Sequence, residues 1–146
     1  MQTLQPEPHR RELVRTIDNL TVYNDSKSTV WQSTQSALES FKNKKVALII
    51  GGLSKGTDRT PLFDYLQNKA VTIFIFGAES EILTQACKKY NMPYHQATNL
   101  ENIVDICMKK KHLFDIVLFS PGGSSFDEFK NYQDRGEQFK KLIAQY

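Results

Sequence analysis

Polar and charged residues follow three of the apolar runs in this sequence. The runs cover residues 20–23, 46–50 and 115–119, and the segments behind them read NDSKST (24–29), GGLSKGTD (51–58) and SPGGSS (120–125). Lys27 and Lys55 would supply full positive charges, while Thr29 and Ser125 would supply directed hydroxyls. Ammonium and hydroxyl groups are among the groups that proteins use to bind carboxylates. The combination suits a small ligand with more than one carboxylate.

Each segment alone is also typical of an ordinary surface turn. Asp, Asn, Ser and Thr bond to their own backbone and favour turns, and a single loop lysine is usually just solvated. The order of the segments favours a site, because apolar runs alternate with helical patterns and this alternation predicts a mostly parallel sheet. In such a sheet the carboxyl ends of the strands share one edge, and ligands bind at that edge.

The third segment combines two glycines with a predicted helix N-terminus. The pair 122–123 allows a tight turn that brings the backbone close to a ligand. Ser124 or Ser125 stands at the predicted N-cap of a final helix that begins near Phe126. The first amides of that helix would then point into the loop and hold an anion. Alternatively, Ser125 and Glu128 form a capping box that uses those amides within the helix. Both interpretations can hold at once.

The hydrophobic pattern predicts an α/β fold, Rossmann-like, with a mostly parallel sheet and helices on both faces. Strands are predicted at 20–23, 46–50, 71–76 and 115–119, with a weak edge strand at 94–96. Helices are predicted at 31–41, at 61–67 and from about 126 to the C-terminus. Another helix is predicted to begin at a capping box formed by residues 98–101. A further helix is predicted to face the core with Ile82, Leu83, Ala86, Cys87 and Tyr90.

Length and composition indicate one folded domain. The chain has 146 residues, of which 40% are apolar and 11% aromatic, and its formal charge is +3. Cys87 and Cys107 lie on apolar helical faces and are predicted to be reduced core thiols. The basic clusters 42–45 and 109–112 fall at predicted helix ends, where cations complement the helix dipole. We therefore expect a cytoplasmic monomer that binds neither nucleic acid nor a membrane.

Several common site types lack their signature. No Gly-x-Gly-x-x-Gly follows a strand, which argues against a dinucleotide site, and segment 51–57 has the wrong spacing for an ATPase phosphate loop. His9, His95 and His112 are dispersed and no Cys/His cluster exists, so no metal site is predicted. Ser120 lacks the Gly-x-Ser-x-Gly elbow of many serine hydrolases.

Several motifs occur together in the order and spacing of one known family. They are PHR (8–10), NDSKST (24–29), GGLSKGTD (51–58), SPGGSSFDEFKNY (120–132) and RG (135–136). On these motifs, which span nearly the whole chain, the sequence resembles the C-terminal domain of the Mur ligases, in their D-glutamate-adding branch. It departs from that pattern at Val30, where Asn is usual, at Tyr132, where Phe is usual, and at 122–124, where Ala-Cys-Ala is usual.

The resemblance implies an ATP-dependent amide ligation in peptidoglycan synthesis. ATP would phosphorylate the carboxylate of UDP-N-acetylmuramoyl-L-alanine, and the amine of D-glutamate would attack the acyl phosphate. By the family pattern the D-glutamate carboxylates would be held by Lys27, Thr29, Lys55, Ser125 and Phe126, with Tyr132 packing beside them. Arg10 would reach the ATP phosphates and Asp25 the ribose, whereas ATP and Mg²⁺ would be bound mainly by another domain. The resemblance identifies no certain catalytic residue and no metal ligand in this chain.

The same resemblance implies a domain organisation. Residues 1–8 are polar, contain Pro6 and Pro8, and are expected to form a linker or domain boundary, whereas 9–146 would be the glutamate-binding domain. The N-terminal UDP-binding and central ATPase domains of the family are not in this sequence, so the isolated domain is expected to be inactive. An alternative is a non-catalytic regulatory module of the same fold that binds an anion or an amino acid. A phosphate loop encoded upstream of Met1 would favour the ligase.

Overall fold

The computed structural model describes residues 7–146 and shows one six-stranded sheet flanked by helices. Most of the predicted linker, residues 1–6, lies outside the described residues. The strands are β1 (Glu12–Ile17), β2 (Leu20–Asn24), β3 (Val46–Ile50), β4 (Val71–Ile75), β5 (Tyr94–Gln96) and β6 (Ile116–Phe119). The helices are α1 (Trp31–Leu38), α2 (Thr60–Leu66), α3 (Ser80–Lys89), α4 (Leu100–Lys109) and α5 (Tyr132–Ile143).

The strand order across the sheet is β1-β2-β6-β3-β4-β5, and β1–β2 is the antiparallel pair. The other four pairs are parallel, which confirms the predicted α/β class with a mostly parallel sheet. β5 lies at one edge, as its weak pattern predicted. Crossover helices connect the parallel strands, so the carboxyl ends of β2, β6, β3 and β4 point to the same edge.

The hydrophobic pattern did not predict strand β1. It forms a hairpin with β2, and Asp18 takes the left-handed conformation in the turn, with φ of 54°. The pairing register shifts between Leu13 and Arg15, and Leu13 is 60% exposed at the sheet edge. An irregular edge strand loses the clean alternation that marks a strand in sequence. The sequence feature that could have predicted β1 is the two-residue turn Asp18-Asn19, which lies between two runs that contain β-branched residues.

The core consists of two layers, one on each face of the sheet. Along β3, Val46, Leu48 and Ile50 pack in the layer that contains residues of α1, α2 and α3. Ala47 and Ile49 pack in the layer that contains residues of α4 and α5. Successive residues of a strand point to opposite faces, so all five residues of this central strand are buried.

The two cysteines lie in different layers of the core. Cys87 belongs to the layer with α3, and Cys107 belongs to the layer with α4. Both are free and buried, and burial raises the pKa of each thiol to about 12. The prediction of free core thiols is confirmed. At neutral pH both remain protonated and behave as small apolar side chains.

Two local predictions about the helices are wrong. Ile82 is 65% exposed, because the buried stripe of α3 is centred on Leu83 and Cys87 and Ile82 projects at its solvent edge. The N-cap of α4 is Asn99, whose side chain accepts a hydrogen bond from Asn102 N–H at 2.8 Å, so the predicted capping box is misplaced by one residue. Within residues 7–146 no helix combines the length and the hydropathy needed to cross a membrane.

The final helix begins six residues later than predicted. Its N-cap is Asn131, which accepts a hydrogen bond from Asp134 N–H at 2.7 Å, so neither Ser124 nor Ser125 caps it. The carbonyl of Ser125 instead accepts from the N–H of Phe129 at 3.0 Å within a turn of the preceding loop. Both the predicted capping box of Ser125 with Glu128 and the predicted helix amides behind Ser125 are therefore wrong. The aromatic residues of 126–131 resemble a helical pattern but belong to a loop.

Two isoleucines provide a test of the core assignment. Ile143, the last residue of α5, is fully buried in the core layer that contains α4 and α5, whereas Ile82 is 65% exposed. Ile143→Ala should lower the free energy of unfolding by about 2 to 5 kcal/mol, because it removes buried methyl groups and leaves a cavity. The matched change Ile82→Ala should cost at most about 0.5 kcal/mol. Urea denaturation of both variants measures the difference, and equal losses would contradict the assigned layers.

Candidate functional site

Three loops meet at the carboxyl edge of the sheet, because β2, β6 and β3 are neighbours there. The N–H of Gly122, after β6, donates to the carbonyl of Ser28, after β2, at 2.9 Å. Leu53, after β3, and Ser124 exchange two backbone hydrogen bonds of 3.0 and 2.7 Å. These loops are the three segments that the sequence predicted to lie together, and that prediction is confirmed.

Glycine allows the loops after β3 and β6 to lie this close. A Cβ atom on Gly123 would come within 2.4 Å of the carbonyl oxygen of Gly51. A Cβ atom on Gly52 would come within 2.4 Å of the carbonyl oxygen of Ser124, and Gly52 also has φ of 76°. Only glycine takes that conformation without strain. The glycines thus bring two loop backbones against each other.

A buried arginine, Arg59, supports this contact from below. Its guanidinium donates to the carbonyl oxygens of Gly51 at 2.7 Å and Gly52 at 3.2 Å, and it pairs with Glu79 at 2.9 Å. Burial lowers the pKa of Arg59, and the charge of Glu79 opposes that shift. Burial acts to raise the pKa of Glu79, but hydrogen bonds from Ser54 and the charge of Arg59 outweigh it and lower the pKa. The lowered pKa favours the ionised form of Glu79, the form that pairs with the Arg59 guanidinium.

A second buried arginine, Arg135 of α5, lies under the loops after β2 and β6. Its side chain has no exposed surface and donates to the Ser26 hydroxyl at 2.9 Å, the Ser26 carbonyl at 2.7 Å and the Gly123 carbonyl at 2.9 Å. Burial lowers the pKa of Arg135 to about 10, and the charge of Asp127 acts in the opposite direction. The guanidinium is still protonated at neutral pH.

Asp25 organises the loop after β2. It is 3% exposed, and its carboxylate accepts hydrogen bonds from Arg11 N–H at 2.9 Å, from the Ser120 hydroxyl at 2.7 Å and from the Ser28 hydroxyl. This carboxylate joins the segment before β1, the loop after β2 and the end of β6. Asp25 was predicted to contact the ribose of ATP. The structure shows a buried, engaged carboxylate, and the ribose contact stays a prediction.

Beside Asp25 lies a small cavity of about 150 Å³ with a basic, hydroxyl-rich lining. It is lined by Arg10, Arg11, Asp25, Lys27, Ser28, Ser33 and Ser36. Arg11 donates to the Ser36 hydroxyl at 2.6 Å. Such a cavity suits one phosphate or carboxylate group and is too small for a whole nucleotide. Within residues 7–146 no group of three or more His, Cys, Asp or Glu residues is placed to hold a metal ion.

Comparison with known sequences identifies the family. A family model described as Mur ligase, glutamate ligase domain, matches residues 9–123. The chain belongs to this family. The UDP-N-acetylmuramoylalanine--D-glutamate ligase of Pseudothermotoga lettingae is 36% identical to it over 98% of the chain, and that of Aquifex aeolicus is 38% identical over 93%. The chain spans about a third of the length of these relatives, namely 33% and 32%.

Solved Mur ligase structures share the fold. The chain is similar to the UDP-N-acetylmuramate-alanine ligase MurC of Thermotoga maritima, with a TM-score of 0.60 and 16% identity over 94% of the chain and 30% of MurC. It is also similar to the MurF ligase of Thermotoga maritima, whose structure is a complex with ADP, with a TM-score of 0.59 and 17% identity over 99% of the chain and 33% of MurF. At these identities the likeness concerns the fold alone.

In this Mur ligase domain the residues predicted to bind D-glutamate lie on the loops of the carboxyl edge and at the start of α5. Lys27 forms an ion pair with Glu7, and Thr29 is exposed. The ammonium of Lys55 lies 5.2 Å from the ring centroid of Phe126, which is 63% exposed, whereas Ser125 is 2% exposed. The structure thus brings Lys55 and Phe126 into contact. Their roles, and that of Arg10, stay predictions.

The sixth predicted residue, Tyr132, lies at the start of α5 and packs against His9. The two rings meet edge to face with centroids 6.0 Å apart, and the carbonyl of Tyr132 accepts from the Ser26 hydroxyl at 2.8 Å. His9 is 5% exposed, and its Nδ1 lies 2.9 Å from the Asn24 side-chain amide. A Cβ atom on Gly136 would come within 2.1 Å of that Nδ1. His9 therefore fills a space that glycine in α5 leaves open.

Residue type and periodicity alone do not mark several supporting residues. A lone Arg59 behind a glycine-rich loop and an arginine near the start of a helix are both ordinary surface patterns. From these patterns alone, the roles of His9, Arg59 and Arg135 cannot be recognised until the loops above them are placed. The Pro8-His9-Arg10 and Arg135-Gly136 motifs of the family pattern were the available signal for two of them.

Burial of His9 predicts a pH-dependent stability. Burial lowers the pKa of His9, with Lys140 acting in the same direction and the nearby Glu12 and Glu137 opposing it. The unfolded chain therefore binds this proton more tightly than the folded chain, so the free energy of unfolding should fall as pH drops through about 6.5. His9→Gln should flatten that decrease between pH 7.5 and pH 5.5. Urea denaturation across this range measures it, and a variant that keeps the full decrease would refute the assignment.

Proposed function

We propose that this chain is the glutamate-binding domain of an ADP-forming ligase that adds D-glutamate to UDP-N-acetylmuramoyl-L-alanine in peptidoglycan synthesis. The observation that carries the proposal is the meeting of the three hydrogen-bonded loops, which place Lys27, Lys55 and Ser125 at one edge of the sheet. Two relatives that match more than nine tenths of the chain carry the name of that ligase, which supports the choice of amino acid.

Lys27 and Lys55 would each hold one carboxylate of D-glutamate. Lys27 already holds a carboxylate, that of Glu7, whose side chain is 46% exposed and can give way to a ligand. Lys55 and the ring of Phe126 form an exposed pair on the loops after β3 and β6. Thr29 and Ser125 would add hydroxyl donors, and Tyr132 would pack at the side. Fixing both carboxylates leaves the amine as the free end of the ligand.

The domain would contribute orientation and charge neutralisation to the reaction. Transfer of a phosphoryl group from ATP would convert the acceptor carboxylate to an acyl phosphate and release ADP. The amine of D-glutamate would attack the acyl carbon, displace inorganic phosphate and lose a proton to form the amide. Holding the amine in line with its target converts a bimolecular reaction into an effectively unimolecular one. This can lower the activation barrier by roughly 7 to 11 kcal/mol at best. The positive charges of Lys27 and Lys55 would neutralise the two carboxylates of the amino acid in a reaction that already involves phosphate.

The basic cavity beside Asp25 would meet the nucleotide. Arg10 would contact ATP phosphates there, and Arg11 adds a second guanidinium that the family pattern did not indicate. Asp25 would act on the ribose only if its present hydrogen bonds rearrange, so a role in holding Arg11 and the loop after β2 fits its geometry better. The rest of ATP and its Mg²⁺ would be bound by another domain. We place the reaction in the cytoplasm and expect a monomer.

A domain exchange tests the proposed reaction. The part of the Aquifex aeolicus relative that precedes its matched third is joined to residues 1–146 of this chain. The hybrid should form ADP and the amide product with D-glutamate, and neither L-glutamate nor L-lysine should replace it. A folded hybrid that binds the UDP-linked substrate but makes no product with D-glutamate would overturn the proposal, as would ligation of another amino acid.

Lys55→Met in the hybrid tests the proposed carboxylate contact. Loss of one charge-assisted hydrogen bond costs about 1.5 to 3 kcal/mol, so the KM for D-glutamate should rise roughly 10- to 150-fold. The Met stem keeps most of the packing, and the KM for the UDP-linked substrate should stay the same because another domain holds it. Lys44→Met, at the opposite edge of the sheet, is the matched control. Steady-state kinetics with each substrate varied decides, and an unchanged constant for D-glutamate would mean that Lys55 is only a solvated loop lysine.

A further inference from the structure

Arg135 is a fully buried cation without an acidic partner at close range. Among residues 7–146, no carboxylate oxygen lies within 4.0 Å of its guanidinium. Buried charges are normally paired, because removing an ion from water is costly. Here the guanidinium is stabilised by three acceptors of Ser26 and Gly123. Its position is therefore explained by the backbone that it holds and not by an ion pair.

The acceptors of Arg135 lie one or two residues before residues that would bind the ligand. Ser26 is the neighbour of Lys27, and Gly123 stands two residues before Ser125. The Ser26 hydroxyl that accepts from Arg135 also donates to the carbonyl of Tyr132. One planar guanidinium thus bonds to the backbone next to Lys27 and close to Ser125, and the Ser26 hydroxyl connects it to the carbonyl of Tyr132.

We propose that Arg135 is a positioning residue of the glutamate site, and this inference rests on the proposed function. Its guanidinium fixes the loop after β2 and the loop after β6 relative to α5, so that Lys27, Ser125 and Tyr132 face one ligand. A guanidinium suits this role because its N–H groups point in fixed directions within one plane. Nη1 reaches one loop while Nε and Nη2 reach the other. A lysine would keep the charge but could not hold both loops at set angles.

Arg59 also donates to backbone carbonyls of the loops, but unlike Arg135 it has a carboxylate partner. It donates to Gly51, Gly52 and Gly122 and also pairs with Glu79. The loops after β3 and β6 are joined in addition by the paired bonds of Leu53 and Ser124. Arg135 instead comes from α5, a separate element that lies outside the strand-end loops. Loss of Arg135 should therefore disturb the site more selectively than it disturbs the sheet.

The first experiment measures amide hydrogen exchange in the 146-residue chain. Arg135→Lys should speed exchange in 26–28 and 124–126 by roughly tenfold or more, because local opening of these loops becomes easier, while the amides of β3 and β4 stay protected. The matched control is Arg15→Lys, because Arg15 also donates to a backbone carbonyl, that of Ile143 at 3.1 Å, away from the loops. No change in the loops, or an equal increase throughout the chain, would overturn the positioning role.

The second experiment uses the hybrid ligase. Arg135→Lys should raise the KM for D-glutamate roughly 10- to 100-fold, since misplacing a binding group by about 1 Å has effects of this size. The KM values for ATP and the UDP-linked substrate should stay the same, and Arg15→Lys should change none of them. Equal losses for all three substrates, or an unchanged constant for D-glutamate, would contradict the inference.

A milder variant keeps the test decisive if Arg135→Lys does not fold. Ser26→Ala removes only the hydroxyl that joins Arg135 to Tyr132, and it should give the same pattern with a smaller amplitude. Ser26→Ala with normal loop exchange and a normal KM for D-glutamate would overturn the inference. The two proposals fail separately: an unaltered hybrid that cannot ligate D-glutamate refutes the proposed function, whereas the exchange measurement still decides whether Arg135 positions the loops.

Discussion

Backbone carbonyl groups beyond the end of a parallel sheet have no neighbouring strand to bond, and two buried guanidiniums supply their donors in this chain. Arg59 and Arg135 together reach carbonyl oxygens of Ser26, Gly51, Gly52, Gly122 and Gly123. A buried carbonyl left without a donor costs about 1 to 3 kcal/mol. The loops can therefore lie close together because the arginine side chains supply hydrogen-bond donors to their buried carbonyl groups.

This arrangement separates support from binding. The supporting groups, among them Asp25, Arg59 and Arg135, are at least nine tenths buried and have partners within the chain. Two of the groups assigned to the ligand, Lys55 and Phe126, are exposed, whereas Ser125 is 2% exposed. A ligand can thus meet exposed side chains on a backbone that buried groups hold in place. Orientation in the reaction depends on the lower layer, although that layer does not reach the ligand.

The sequence predicted the central architecture because buried parallel strands leave a strong pattern. Five apolar residues in succession in β3, followed by Gly51-Gly52, allow little other than an interior strand with a turn behind it. From the alternation of elements it followed that the three polar segments share an edge. The family motifs placed further residues that periodicity could not reach, among them Arg10 and Tyr132.

Other features depend on contacts between distant parts of the chain. The loop before α5 contains Phe126 and Phe129 in a pattern that resembles a helix. Ser124 instead pairs with Leu53, and a turn at 126–128 separates it from the start of α5. β1 gains its place from hairpin pairing with β2 and from the contact of Arg15 with the end of α5. His9 packs against Tyr132, and Arg135 donates to Ser26, which lies 109 residues away in sequence. Both contacts join opposite ends of the chain, so no local window could reveal them.

The contact between His9 and Gly136 links two positions in the history of the domain. Any side chain at position 136 would enter the space of the imidazole, because even a Cβ atom would lie 2.1 Å from Nδ1. Replacement of His9 by a smaller residue would in turn leave a void between α5 and the segment that enters the sheet. Drift at either position must therefore pass through a destabilised ancestor or occur in a background with stability to spare. Related domains in which one of the two has changed should carry a compensating change at the other.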